Sequence, residues 1–487
     1  MALGNGARTV VTFALGMILV RLLDQAQYGI YRQVWLLYNL LSPLFVLGLP
    51  TSIYYFLPRL SPERRKGFVL QSFLILALLG ALLTLTVLLI PVIWTVYQDD
   101  SGLLAALRAF FLYPLFFLPT ALWPGLPLAL GRSRDAAVGT LGLALLRATS
   151  ILVPILLGGG LTGAFYGASI GALFQCLAVA LYILRFFRPF HTQWDRAMVR
   201  QQVGFALPLG ISRLISLLGI RLDNLIVALF FKAQRYAVYD VGAIEIPFLS
   251  TLMTSAMDVL MVEFSRSLRD QEHRRAVTLW HEAVRRVSLI TLPFFGYLLF
   301  MADRVITLLY TDAYAESAIP FRIYLFLMLV RVTRYGDIFI AAGQTNFIFY
   351  SSVFFVLVTG VCGVLGIKFL GFVGPPLAAV ASRYLLVLVM LLKARRLLRV
   401  NLRQIMPWKV LARNLAVALG AGMLVFPLAS LPWPDISVVA LSSALYFGLY
   451  VGGAWWKLVT EADLSILSRW MFLDRLGLRL PSPGRRQ

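Results

Sequence analysis

Residues 205–231 read FALPLGISRLISLLGIRLDNLIVALFF. The stretch is long and apolar enough to span a bilayer, yet it carries Arg213, Arg221 and Asp223. On a helix advancing 100° per residue, with Arg213 at zero, Ser216, Ile220, Asp223 and Asn224 fall between about −80° and +20°, and Arg221 at about +80°. Leu214, Ile215, Leu218, Gly219, Leu222, Leu225 and Ile226 occupy the other half. One face suits lipid and the other suits water or an anion. A charge at mid-bilayer costs at least ~2.5–3.5 kcal/mol, so it normally faces a cavity or a partner. Arginine keeps its proton and must be met by an anion, a carbonyl or water. This span is therefore expected to line a polar cavity of a membrane transporter.

Composition supports a polytopic chain. Of 487 residues, 60% are hydrophobic, and the mean hydropathy is +0.82. Apolar runs recur along the whole length, and about fourteen spans are expected, near 5–23, 31–57, 68–93, 104–130, 137–157, 164–185, 204–231, 237–262, 284–302, 318–342, 346–367, 371–392, 411–430 and 436–456. The fold class is all-α. The N-terminus reads as a retained first span rather than a cleaved signal. The net charge of +22 sits in short loops, and no nucleic-acid recognition fold accompanies it. Loops at Arg59 to Lys66, Arg132 to Arg134, Arg185 to Arg200, Arg266 to Arg286, Lys393 to Arg413 and beyond Lys457 are basic. The alternate loops hold Asp99, Asp100, Asp303, Asp312, Glu316 and Asp435. That asymmetry, roughly 30 Lys/Arg against about 4, places both termini in the cytoplasm. Glu461 to Leu480 reads as an amphipathic helix lying on the membrane surface.

An internal repeat organises the chain. Tyr28 and Tyr31 recur as Tyr236 and Tyr239, Ala129-Leu130-Gly131 as Ala341-Ala342-Gly343, and Gly160-x-x-Gly163 as Gly371-x-x-Gly374. The shift stays near ~210 residues. Two six-helix lobes in parallel repeat are expected at 1–202 and 203–400, with helices 13 and 14 and a tail over 401–487. In such repeats the site lies between lobes, which rock to give alternating access.

No nucleotide-binding, hydrolase, metal or dinucleotide motif is present, so no enzyme activity and no cofactor are expected. Cys176 and Cys362 read as packing residues, and His191, His273 and His281 lie in charged loops without ligand spacing. The unusual feature is intramembrane arginine. Arg331, Arg334 and Asp337 follow at i, i+3 and i+6 on one expected helix flank. Arg213, Arg221, Arg331 and Arg334 are the candidate ligands for an anionic head group, since arginine takes phosphate oxygens in pairs. The same residues equally fit internal neutralisation, Arg334 by Asp337 and Arg221 with Asp223 through neighbours. Arg21, Arg32, Arg108, Arg147, Arg322 and Arg383 lie nearer span ends, where snorkelling explains most of them. Glu245, Asp223 and Asp337 are candidates for a cation or proton site, with Pro247 after Glu245 expected to free a carbonyl. A salt bridge to a neighbouring arginine is the competing reading of Glu245.

RLLDQAQYGIY after span one, PRLSPERRKG after span two and LGRSRD after span four resemble the oligosaccharide flippases of bacterial polysaccharide biosynthesis. These belong to the multidrug/oligosaccharidyl-lipid/polysaccharide exporter (MOP) superfamily. The resemblance covers roughly residues 1–400. It implies a bacterial inner-membrane protein that moves an undecaprenyl-pyrophosphate-linked oligosaccharide to the outer leaflet through a cationic cavity. It also implies membrane lipids as partners, alongside a polysaccharide polymerase and glycosyltransferases. The span count is similar to that of the lipid II flippase of peptidoglycan synthesis. A cation-coupled drug exporter of the same superfamily is the alternative, but it would be expected to carry more intramembrane acid than arginine.

Overall fold

A computed structural model describes residues 2–94, 101–187, 194–244, 261 and 263–457. Every regular element among them is helical. Among the described residues, nine helical stretches are long and apolar enough to cross a membrane, or ten if the bent pair Gln25–Val46 and Leu49–Arg59 is one span. Two of the nine, of 54 and 52 residues, each contain two helices folded back through a glycine turn. Part of the expected eighth span and the expected amphipathic tail lie outside the described residues.

The chain divides into two compact units, Met1–Asp240 and Val241–Gln487. In the first, α1 (Ala2–Leu22), α2 (Gln25–Val46), α3 (Leu49–Phe56) and α4 (Pro62–Trp94) are followed by a broken fourth span. That span is α5 (Ser101–Phe110), α6 (Tyr113–Phe117) and α7 (Gly125–Ala129). Pro114, Pro119, Pro124 and Pro127 explain the break, since each lacks an N–H and crowds the preceding turn. α8 (Ser133–Pro154) and α9 (Gly160–Phe186) form a hairpin. It closes so tightly that a Cβ on Gly167 would meet the Ser150 carbonyl oxygen at 1.9 Å. Small residues at crossings matter in membranes because lipid is as apolar as leucine and packing alone must hold helices together.

α10 (Arg196–Phe230) and α11 (Ala233–Gly242) follow. The 35-residue α10 packs on α2 and α3. Its tie to the first unit is polar and buried: Gln202 Nε2 donates to Ser52 Oγ and to Ser72 Oγ, each at 2.8 Å. Around it lies an apolar core that includes Leu49, Ile53, Leu76, Leu122, Val179 and Ile183.

The second unit is built on α12 (His273–Tyr310), 38 residues long. α13 (Ala318–Leu325), α14 (Leu327–Val330) and α15 (Gly336–Ala341) form a broken tenth span. α16 (Thr345–Leu370) and α17 (Gly374–Leu397) form the second hairpin, then come α18 (Leu402–Ile405), α19 (Trp408–Val425) and α20 (Asp435–Lys457). The last two long helices pack on α12. Tyr297 Oη donates to the Val439 carbonyl at 3.1 Å, Asn414 Nδ2 to Ser288 Oγ at 3.2 Å, and Arg304 Nη1 to Asp435 Oδ1 at 2.7 Å. The core of this unit holds Trp280, Val284, Ile338, Phe339 and Leu391.

Candidate functional site

The expected arginines fall in both units. Arg213 and Arg221 are exposed on α10. The helix face they flank is buried at Gln202 and Ala206, opens at Arg213, Ser216 and Ile220, and closes again at Asp223, Asn224 and Val227. The opposite half is not uniformly lipid-facing, because Gly219 and Ile226 are also buried. Asp223 accepts from Tyr239 Oη at 3.2 Å and from Asn224 Nδ2 at 3.4 Å.

Arg331 and Arg334 do not share a helix flank with Asp337. The backbone leaves the helix after Val330 and re-enters it at Gly336, so the i, i+3, i+6 relation is corrected. The break lets Val332 and Tyr335 turn into the core beside Trp280. It also sets Asp337 in the first turn of α15, where a carboxylate suits the helix N-terminus. Arg334 Nη2 then lies 3.1 Å from Asp337 Oδ1. Arg334 and Asp337 neutralise each other, one of the two readings their spacing allows. Glu245 lies outside the described residues. Among the described residues, no group of three or more His, Cys, Asp or Glu side chains is placed to hold a metal ion.

The first unit contains a site that the sequence reading passed over. A cavity of about 420 Å³ is lined by Arg8 of α1, Tyr31, Arg32 and Trp35 of α2, Arg147 of α8 and Gln175 of α9, with Trp123 and neighbouring residues closing it. No carboxylate is among its lining residues. Tyr28, Tyr31, Trp35 and Tyr38 recur at three- and four-residue intervals on one face of α2, and Tyr31 and Trp35 of that row line the cavity. The entry of α2 is fixed by a capping box: Gln27 N–H donates to Asp24 Oδ1 at 2.8 Å, and Asp24 N–H to Gln27 Oε1 at 3.4 Å.

Snorkelling is the expectation for an arginine near a span end such as Arg147. The residue instead lies over aromatic faces, with its guanidinium carbon 4.2 Å from the Trp35 ring centroid and 5.6 Å from that of Phe117. Beneath them, Trp35, Phe110 and Tyr113 pack edge-to-face and stacked at 4.8–5.1 Å. A ring face attracts a cation without satisfying its N–H groups. Arg147 Nε, Trp123 Nε1 and Gln175 Nε2 are all buried and donate to no described residue. Unpaired buried donors are costly, at about 1–3 kcal/mol each. Several donors and three arginines, with no carboxylate among the lining residues, suit an anion with many acceptor oxygens, such as a phosphate ester.

Arg32 differs from Arg147. Its Nε lies 2.5 Å from Asp240 Oδ2 and its Nη2 3.1 Å from Asp240 Oδ1, a fork-like pair. Tyr236 Oη reaches Asp240 Oδ1 at 3.5 Å. The signal that could have flagged this cluster was present in the sequence. It is the repeated tyrosine pair, Tyr28/Tyr31 and Tyr236/Tyr239, which brackets it.

Comparison with known proteins places this architecture. The family model described as polysaccharide biosynthesis protein matches residues 1–261, and that of lipid II flippase MurJ matches residues 137–443. Comparison with curated protein sequences finds no match. Among solved structures, a lipid II flippase MurJ in an inward closed conformation is similar with TM-score 0.70 and 14% identity, covering 97% of this chain and 100% of that one. An inward-facing multidrug resistance MATE transporter of the MOP superfamily is similar with TM-score 0.60 and 13% identity, covering 80% and 94%. A MOP superfamily transporter from Pyrococcus furiosus, described as having a binding pocket of reverse polarity, gives TM-score 0.51 and 15% identity, covering 82% and 93%. The chain belongs to the polysaccharide biosynthesis protein and lipid II flippase MurJ families, and is a multi-pass membrane protein of a flippase family rather than a catalytic enzyme.

Proposed function

We propose that this flippase moves a lipid-pyrophosphate-linked oligosaccharide, of the undecaprenyl type, from the cytoplasmic to the outer leaflet of a bacterial inner membrane by alternating access. The supporting observation is the cavity of the first unit, lined by Arg8, Arg32 and Arg147 and by no carboxylate. In this reading Arg147 and the buried donors beside it meet the pyrophosphate, and the lipid tail stays in the bilayer. The aromatic walls offer ring faces to the first sugar. Arg213, Arg221 and Arg331 are proposed to guide the head group, and Arg334 takes part only by exchanging Asp337 for it. Asp223, Asp337 and Glu245 are proposed to carry any coupling cation or proton. The basic loop charges support a cytoplasmic location for both termini.

The family match over residues 137–443 favours a second cargo, the lipid II precursor of peptidoglycan. The two cargoes share a pyrophosphate and differ in sugar, so the cavity serves either. Depletion of the protein separates them. Loss of surface polysaccharide with intact cell-wall synthesis supports the oligosaccharide. Accumulated lipid-linked peptidoglycan precursor with lysis supports lipid II. Wild-type levels of both, together with raised sensitivity to cationic drugs, would remove the anionic cargo altogether.

A further inference from the structure

Arg32 and Asp240 stand 208 residues apart. The same shift carries Tyr28 to Tyr236 and Tyr31 to Tyr239. The ion pair therefore joins equivalent positions of the two repeats, one basic and one acidic. The helices that bear it touch closely. A Cβ on Gly29 would meet the Ala233 carbonyl oxygen at 1.9 Å, and Gln234 Nε2 donates to Gln25 Oε1 at 2.9 Å. Equal charges at these facing positions would repel, and the two positions carry opposite charges.

Arg32 is shared between two environments. Arg32 lines the arginine cavity, whereas Asp240 is not among the lining residues. Its side chain is 36% exposed against 8% for that of Asp240. The groups facing the pair are Tyr28 on α2, Tyr236 on α11, and Arg221 and Asp223 on α10, which lie within electrostatic reach of Tyr236. Among the described residues, Asp240 is the carboxylate paired with Arg32.

We propose that Asp240 is a built-in stand-in for the anionic head group. It holds Arg32 while the cavity is empty and yields it to a phosphate oxygen when cargo enters. This rests on the reading of the cavity as a pyrophosphate site. The physical reason is that a carrier exporting an anion must return without it. An unoccupied cavity with three bare guanidinium groups would make that return costly in a low-dielectric interior. The carboxylate offsets one of those charges on the empty stroke. It also competes with cargo, which speeds release on the far side.

The test uses the purified full chain in detergent with inorganic pyrophosphate, read by calorimetry, and export in cells carrying the same variants. Asp240→Asn removes the competing charge. It is expected to bind pyrophosphate about tenfold more tightly, the size of one charge-assisted hydrogen-bond contact, while export falls. Asp240→Glu keeps the charge and is expected to bind as the wild type does. The proposal is overturned if D240N binds no tighter, or if D240E binds as tightly as D240N. Where D240N does not fold, Asp240→Ser is read the same way. Arg147→Ala separates the two ideas. If wild-type binding depends on Arg147 but D240N leaves it unchanged, the stand-in falls and the anion cavity stands. If neither the wild type nor D240N binds pyrophosphate, both fall.

Discussion

Trp35 lies beneath Arg147, with 4.2 Å between the indole centroid and the guanidinium carbon. The ring face holds the cation without satisfying its N–H groups, and Arg147 Nε is buried with no partner among the described residues. An acid in the same place would neutralise the charge and remove the reason for an anion to enter.

Arg147→Ala should cut export of the glycan by about tenfold or more, the effect of losing roughly 1.5–3 kcal/mol of charge-assisted contact. Arg147→Lys should recover little of it, because an ammonium cannot pair two oxygens in the guanidinium manner. Surface polysaccharide at matched protein level is the readout. Export equal to wild type in R147A removes this residue from the site.

Trp35→Leu keeps the apolar volume but removes the ring face. A cation–π contact is worth about 0.5–2 kcal/mol. Export should fall while the thermal midpoint in detergent shifts little, since Leu fills most of the space. A large fall in stability with unchanged export per folded molecule would show the indole to be a packing residue only.

Gly29→Ala tests the α2–α11 contact. The added methyl would collide with backbone at Ala233. Backbone cannot give way as a side-chain tip can, so the helices must part. The expected cost is about 1–3 kcal/mol, seen as a lower unfolding temperature, together with loss of export as Arg32 and Asp240 separate. An unchanged midpoint would mean that the helices are free to slide at this point.

Gln202→Leu removes the donor to Ser52 and Ser72. Its buried amide ties α10 to α3 and α4. The loss should destabilise the first unit by about 1–3 kcal/mol. Proteolysis of the purified protein, probing the junction before α10, should speed up accordingly. Equal cleavage rates for Q202L and wild type would contradict this.

Arg334 and Asp337 can be resolved by a double-mutant cycle. If their pairing at 3.1 Å is purely structural, R334A and D337A singly should each reduce stability and export, and the double variant should be no worse than either. If Arg334 also meets cargo, D337A should leave export above R334A. Expression-normalised export across the four proteins decides between these.

Much of the fold was legible from residue spacing. Apolar runs, loop charges and a repeat near 210 residues give an all-α polytopic chain, and its flippase family follows from motifs at span ends. What periodicity could not see was interruption. The fourth span carries four prolines and breaks visibly, but the tenth breaks at Arg331 without one. A helical wheel assumes an unbroken helix, and it put Arg331, Arg334 and Asp337 on one flank for that reason. The cavity was missed for a related reason. Arg32 and Arg147 lie near span ends in sequence, where arginine commonly reaches for the interface, so distance along the span counted against them.

The sequence alone determined what must be buried in lipid and what charge the chain must carry through it, because the energy of transferring a side chain depends on its own chemistry. It could not determine which charges are answered. Asp240 reaches Arg32 across 208 residues, Asp337 reaches Arg334 across a helix break, and aromatic faces are what lie against the Arg147 guanidinium among the described residues. Those pairings are set by how the helices pack, and they alone separate a neutralised arginine from one open to an anion.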